Sequence, residues 1–443
     1  MTRVPLAFPQ HLLRFFDVLH PGQATGPAFV ISAAYRVSGP VDEELLRLAV
    51  TDLIGRHDAL RATLHGGDGM PWQEIHEAGP GRFESIDLSG ADPDDFLDSL
   101  DAREHPGDQS PLLWVYYAKL SPTDGRRRGG EPSAAGGVLA LVAHHSAADA
   151  WSMDLLVRDL ATCYAARIEG RLVQPVAGST YADFAVDDQA QRDSPRSARA
   201  LDYWSAKLAD VDVTSLPSDR PREAKDDGIR AQLRFDIDKT LAVRLTEAAR
   251  RARCSPFMVH LTAYLLTLRE LTGATDLTVP TLTAGRGRPE LDETVGFFLN
   301  ALLLRTDLST STSPGEALAE VRRTCLDAYR NELPILRLLE EVPDAGLLLA
   351  DESFVLMPFQ HIPLGRREPR KFGPATYVSF DRRPGSRPHG VAVPLDGLWT
   401  IDERPGGLLT GKISYTPAMF DASTLESHVD TYLRQLHTIA TGT

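Results

Sequence analysis

Residues 138–152 read Val138-Leu-Ala-Leu-Val-Ala-His144-His145-Ser-Ala-Ala-Asp149-Ala-Trp-Ser152. An uncharged apolar run leads into two histidines and reads as a strand that ends there. Beyond Ala150 the residues Trp151, Leu155, Leu156, Leu160, Cys163, Tyr164 and Ile168 recur at the helical period, and Gly170 supplies a stop. The stretch reads as a strand, a turn carrying His144, His145 and Asp149, and an amphipathic helix over 150–169. Strand and helix in immediate succession predict an α/β (α+β) fold.

The junction also carries the chemistry. Strand ends and helix starts commonly build active sites. An imidazole with an ordinary pKa near ~6.5 accepts a proton at neutral pH, so a histidine here can deprotonate an attacking amine or hydroxyl. Adjacent strand residues point to opposite faces, which gives one histidine to the reaction space and the other to the interior. The same divergence argues against a shared metal ion. A plain structural reading stays open beside this one: Asp149 caps the helix, and the histidines are packed or solvent-facing without reacting.

Outward from this stretch, Phe29 to Val37 reads as a strand and, after the Gly39-Pro40 break, Val41 to Arg56 as a helix. Leu112 to Leu120 is a further strand, with Thr123 to Gly137 a hairpin loop before the histidine strand. Pro175 to Thr180 reads as a linker, which divides the chain into an N-terminal lobe, 1–175, and a C-terminal lobe, 176–443. The second lobe begins with Tyr181 to Leu208 as helix. Ala231 to Ile237 follows as a strand, Lys239 to Arg253 as a helix, and Pro256 to Leu271 as a helix capped by Ser255. Asp276 to Thr283 and Val295 to Thr306 read as strands, the latter apolar on both faces, and Gly365 to Gly390 as loop.

The composition of the 443 residues, 42% hydrophobic and 24% charged, is that of a folded globular chain. A formal net charge of −14 disfavours a general nucleic-acid binder or an anionic membrane partner. Cys163, Cys254 and Cys325 form no CxxC pair, so neither a zinc cage nor a disulfide framework is expected. Met1 to Gln10 lacks the apolar run of a signal peptide or membrane helix, and the expectation is a cytoplasmic protein. No GxSxG elbow or cysteine nucleophile motif occurs, which favours direct transfer over a covalent acyl-enzyme.

The histidine run resembles the HHxxxDG motif of the condensation domains of nonribosomal peptide synthetases, relatives of chloramphenicol acetyltransferase. Pro9-Gln10 with Leu13 to Leu19 resembles the opening helix of that family, Arg56-His-Asp-Ala-Leu-Arg61 its RHExLR motif, and Tyr181-Ala-Asp-Phe-Ala185 its YxDFA motif. Val295-Gly-Phe-Phe-Leu-Asn300 with Arg305 is similar to the GxFVNT strand, and Asn331-Glu-Leu-Pro334 is a weaker echo of the next motif. These matches keep the family's order and span nearly the whole chain. Trp151-Ser152-Met153 is similar to the condensation version of the motif and not to the epimerisation version.

The resemblance implies two chloramphenicol acetyltransferase-like lobes arranged as a V with a central tunnel, His145 at its centre and Asn300 among its lining. It implies peptidyl or acyl carrier proteins, each bringing its phosphopantetheine arm, and no permanently bound cofactor; with no room in the 443 residues for an adenylation or carrier domain, the carriers are expected to act in trans. The acceptor is a small molecule or is itself carrier-bound. Asp149 is implied to turn from substrate and pair with Arg286, with Ser152 and His144 supporting the site; the bland alternative is a solvated Arg286-Gly-Arg288 turn. Three departures stand out: Ala150 replaces the motif's glycine, Val186-Asp187-Asp188 replaces a tryptophan after YxDFA, and Ala301 replaces a threonine. Alanine narrows the backbone freedom that glycine permits. The expected reaction is attack of an amine or alcohol on an acyl thioester, with amides near Ala150 stabilising the oxyanion. The alternatives are a coenzyme A-dependent acyltransferase and a catalytically silent recruitment module. Arg126 to Arg128 and the arginines from Arg366 to Arg387 are either carrier-docking charges or solvated loop charges.

Overall fold

The decisive stretch folds as a strand over Gly136–His144 and a helix over Ala150–Ile168. The structure, a computed structural model, describes all residues except 20, 23, 67–69, 89, 121–135, 174–177, 212–213, 222–229, 351–354, 363–368, 388–394, 405–407 and 443. In chain order its elements begin with β1 (Thr2–Pro5), α1 (Phe8–Leu19), β2 (Val30–Ser38), α2 (Glu43–Arg56), β3 (Ala62–His65), β4 (Trp72–Ile75), β5 (Arg82–Asp87) and α3 (Pro93–Asp101). They continue with β6 (Leu113–Leu120), β7 (Gly136–His144), α4 (Ala150–Ile168), α5 (Tyr181–Ala190), α6 (Pro195–Lys207), β8 (Ala231–Ile237), α7 (Lys239–Ala252) and α8 (Pro256–Thr272). Next come β9 (Asp276–Thr283), β10 (Asn300–Asp307), α9 (Pro314–Arg330), α10 (Ile335–Glu341), α11 (Pro343–Ala350), β11 (Phe359–Ile362) and β12 (Arg370–Phe372). The last are β13 (Ala375–Ser379), β14 (Gly385–Arg387), β15 (Gly397–Arg404), β16 (Leu408–Tyr415) and α12 (Ala422–Gly442).

Two units share the chain. The first comprises Met1–Ala190, Ala284–Leu299 and Gly365–Arg383; the second comprises Gln191–Thr283, Asn300–Leu364 and Pro384–Thr443. The first holds a six-stranded sheet of order β12-β13-β2-β7-β6-β5 and a small sheet β1-β4-β3; the second holds a seven-stranded sheet of order β10-β9-β11-β15-β16-β8-β14. β7 lies inside its sheet, antiparallel to β2 with Val30 opposite His144 and to β6 with Leu113 opposite Ala143. Leu139 and Leu141 of β7 share one core with Leu46, Val50 and Leu53 of α2 and Leu156, Leu160 and Tyr164 of α4. Each fully buried leucine there contributes about 1.5–3 kcal/mol.

The division near residue 175, itself outside the described residues, is simpler than the chain's path. The chain returns to the first unit at 284–299 and again at 365–383. The second return supplies β13, which pairs antiparallel with the outer edge of β2. A strand edge presents unpaired N–H and C=O groups that a segment distant in sequence can satisfy, and no local sequence signal marks which segment will do so. Hence Gly365–Gly390, expected as loop, contains β12, β13 and β14. Tyr181–Leu208 splits into α5 and α6 because Ser194 caps a new helix with Pro195 at its first position. Of the expected Thr123–Gly137 hairpin, residues 123–135 lie outside the described residues, and β7 already begins at Gly136.

The Arg56–Arg61 motif fastens α4 and α5. Asp159, in the middle of α4, accepts hydrogen bonds from Arg56 Nε and His57 Nε2, each at 3.0 Å. Burial by itself raises the Asp159 pKa, but His57, Arg158 and Arg56 outweigh it and hold the carboxyl at about 2. Asp58 accepts from the Tyr181 and Ala182 amides at 3.2 and 2.9 Å, satisfying two of the orphan donors at the start of α5. No described helix is long and apolar enough to cross a membrane.

Candidate active site

β7 ends at His144 and α4 begins at Ala150, so residues 145–149 make the turn. The two histidines diverge as strand geometry requires. His144 is buried, and its Nε2–H donates to the Gly26 carbonyl at 3.1 Å while Nδ1 meets the Ser146 hydroxyl at 2.7 Å. Burial pushes this ring down to about 4, leaving it neutral at pH 7. A Cβ on Gly107 would stand 2.3 Å from His144 Nε2, so glycine there lets the backbone close over the ring.

His145 is half-buried, and its Nδ1 lies 2.7 Å from the Ala148 carbonyl oxygen. A carbonyl only accepts, so Nδ1 carries the proton and Nε2 carries the lone pair of the neutral ring. The backbone N–H of His145 donates to the Phe29 carbonyl at 2.9 Å. Its ring stacks on Phe29 at 4.9 Å between centroids and meets Phe297 edge-on at 5.2 Å. Tautomer and ring plane are thus both fixed by neighbours.

Asp149 caps α4, accepting from the Ser152 amide at 2.7 Å through Oδ1. Arg286 Nη2 approaches its two oxygens at 3.2 and 3.3 Å, with the side chains only 3% and 7% exposed. In that setting the pair is shielded from water and salt. The guanidinium also donates through Nη1 to the Leu291 and Thr294 carbonyls at 2.5 and 2.7 Å, and lies 4.0 Å over the Phe298 ring. The expected pairing of Asp149 with Arg286 is therefore present, and the solvated-turn reading of Arg286 does not hold. Ser152 is buried, and its hydroxyl donates to the Gly296 carbonyl at 2.9 Å while accepting from Gly296 N–H at 3.1 Å and Arg286 Nη2 at 2.9 Å.

This network explains why the predicted strand over Val295–Thr306 starts only at Asn300. Residues 296–298 spend their backbone groups on the site: Gly296 O accepts from the Asp149 amide at 3.2 Å, Phe297 O from the Tyr181 hydroxyl at 2.6 Å, and Phe298 N donates to Asp149 Oδ2 at 3.3 Å. A Cβ on Gly296 would stand 2.0 Å from the Tyr181 ring. Gly296→Ala is therefore expected to destabilise the protein by about 1–3 kcal/mol through overpacking. A lowered unfolding midpoint in a thermal melt checks it, and Gly296→Ala combined with Tyr181→Ala is expected to lose less stability than the sum of the two single changes.

Ala150 is the first residue of α4 and half-buried. Among the described residues the non-glycine positions with positive φ are Asp210 and Arg253, so the backbone at 150 has no need of glycine. Trp151 donates its indole N–H to the Asp292 carbonyl at 2.9 Å. The Ser152 amide, part of the expected oxyanion-binding helix start, is taken by Asp149. Asn300 belongs to the second unit, where its side chain donates to Glu332 Oε1 at 3.1 Å and the Leu333 carbonyl at 2.8 Å and accepts from the Ile335 amide at 3.0 Å.

Sequence reasoning passed over Phe29, Phe297 and Gly26, each of which touches a histidine. Phe29 is signalled only through register, since Val30 is the partner of His144. Among the arginines considered for docking, 126–128, 366 and 367 lie outside the described residues. Arg382 and Arg383 are engaged in ion pairs: the largely buried Arg382 pairs with Asp94, Asp98 and Asp101, and the more exposed Arg383 with Asp92, Asp94 and Asp95, fastening the end of the 365–383 segment to α3 and its cap.

A family model described as Condensation domain matches residues 1–443. The chain is 35% identical over 349 residues to the phosphinothricin tripeptide synthetase PhsC of Streptomyces viridochromogenes, which covers 76% of this chain and 31% of that protein. It is 30% identical over 453 residues to the dimodular nonribosomal peptide synthase of Bacillus subtilis, covering 98% of this chain and 18% of that protein. The chain thus spans a third or less of these curated relatives. Among solved structures, SgcC5 from Streptomyces globisporus matches with a TM-score of 0.88 and 34% identity over 99% of both chains; it was solved in complex with (R)-(-)-1-(2-naphthyl)-1,2-ethanediol and sucrose.

Proposed function

The chain belongs to the condensation-domain family, and on that premise we propose that it transfers an acyl or aminoacyl group from a carrier-protein phosphopantetheine thioester to an amine or alcohol. The observation that carries this reading is the tautomer of His145, whose Nδ1–H is held by the Ala148 carbonyl. Nε2 then accepts the proton of the attacking N–H or O–H as the new C–N or C–O bond forms. The tetrahedral intermediate collapses with loss of the C–S bond, and the departing thiolate recovers the proton from the imidazolium. Asp149 takes no part in that transfer, because its oxygens serve Arg286, the Ser152 amide and the Phe298 amide. The phosphopantetheine arm arrives with the carrier as substrate, and the carrier is presented in trans, as the match along the whole of SgcC5 supports.

The naphthyl diol bound to SgcC5 makes an aryl-substituted alcohol the first acceptor to test, with amines beside it. Mass spectrometry of products from carrier-loaded and coenzyme-A-loaded donors separates the proposal from its runner-up. Product from the carrier donor alone supports the proposal, and equal product from coenzyme A thioesters supports a coenzyme A-dependent acyltransferase. No product from any pair, with His145→Ala indistinguishable from wild type, would mean a silent recruitment module.

The substituted glycine position gives a small expected effect. The Ala150 backbone has an ordinary φ, so Ala150→Gly is expected to change turnover by no more than about threefold and to cost under about 1 kcal/mol of stability. A gain of an order of magnitude in the same product assay would mean that the methyl group obstructs the acceptor.

A further inference from the structure

Asp17 sits in the last turn of α1, where no basic residue is found. The helix dipole disfavours a negative charge at that end, so helix formation does not account for the residue. Its carboxylate instead gathers the turn that follows. Oδ1 accepts from the Ala24 and Thr25 amides at 3.0 and 3.2 Å, and Oδ2 from the Thr25 hydroxyl. The next residue is Gly26, whose carbonyl accepts both the Phe29 amide and His144 Nε2–H, each at 3.1 Å. A Cβ at Gly26 would fall 1.9 Å from the Gly22 carbonyl oxygen, so the turn closes only with glycine there. Phe29, at the far end of the turn, accepts the His145 amide at 2.9 Å and stacks on the His145 ring.

We propose that Asp17 is a positioning residue for His145, acting through the 24–29 turn that holds both histidines. It rests on the reading of His145 as the proton acceptor. One carboxylate fixes three donors of a turn whose Gly26 carbonyl meets the His144 ring and whose Phe29 ring stacks on His145. Without it the Gly26 carbonyl and the Phe29 ring lose their common anchor, and the His145 ring plane is free to shift. Displacement of a reacting group by about 1 Å costs on the order of a hundredfold in rate.

Steady-state kinetics and histidine-labelled NMR on the full chain test this together. Asp17→Ala is expected to lower kcat by about tenfold to a hundredfold, with KM for the acyl donor little changed. The hydrogen-bonded His144 Nε2–H signal is expected to be lost. Asp17→Asn keeps the Oδ1 acceptor for both amides and is expected to restore most of kcat and the signal. Wild-type kcat in Asp17→Ala where His145→Ala is inactive overturns the proposal, as does equal loss in Asp17→Ala and Asp17→Asn. If His145→Ala is fully active, the reading of the base has failed, and the N–H signal alone then decides whether Asp17 holds the turn. Should Asp17→Ala not fold, Thr25→Val removes one of the three bonds; a smaller fall of the same kind supports the proposal, and an unchanged kcat and signal overturns it.

Discussion

His145→Ala is expected to lower turnover by about two to four orders of magnitude, the range over which a positioned acid–base group acts. The side chain is half-buried, so its loss leaves a small, partly solvated gap between Phe29 and Phe297 and not a deep core cavity. The unfolding midpoint should therefore move little while activity collapses, and that separation marks a chemical role. An alcohol acceptor is expected to suffer more than an amine, because its proton must leave as attack proceeds. Turnover of His145→Ala within about threefold of wild type with both acceptor types would remove His145 from the mechanism.

Asp149→Ala should fail in a different way. It removes a helix cap, worth about 1 kcal/mol, and strands the Arg286 guanidinium among the Leu291 and Thr294 carbonyls and the Phe298 ring. Breaking a buried ion pair from one side costs about 3–5 kcal/mol, since the surviving charge has nowhere to go. Stability and turnover are expected to fall together. Asp149→Ala with Arg286→Met should be less damaged than the sum of the two single changes, because the second substitution removes the stranded charge. Urea denaturation of the four proteins measures this, and strict additivity would mean that the pair is not coupled.

The parts of this site read from the sequence were those with local signals. The apolar run of β7, the helical period of α4 and the cap at Asp149 each lie within a few residues of one another, and strand alternation separated the two histidines without saying which of them turns inward. The pairing of Asp149 with Arg286 spans much of the chain and was reached only through family likeness. Phe29 and Gly26 had no comparable pointer, because they meet the histidines through strand register and a turn; Phe297 stood inside the Val295–Asn300 motif, but nothing local placed its ring against His145. The irregular path of residues 295–299 was hidden for a related reason: their apolar character is that of a buried strand, but their backbone partners are Asp149, Ser152 and Tyr181. Edge strands such as β12 are short and rich in turn residues nearby, so composition alone reads them as loop.

The return of residues 284–299 and 365–383 to the first unit has a consequence for how the protein is made. When the ribosome has released residue 190, the nascent chain already carries His145 and Asp149 but has no Arg286, Gly296 or Phe297. The carboxylate must wait without its counter-ion, and the outer edge of β2 stays uncovered until β13 emerges far later. A fragment ending at residue 190 therefore carries both motif histidines and lacks the segments that complete their surroundings. Completion of the site is a late event in synthesis, and a truncation well downstream of the histidines should abolish it as surely as one beside them.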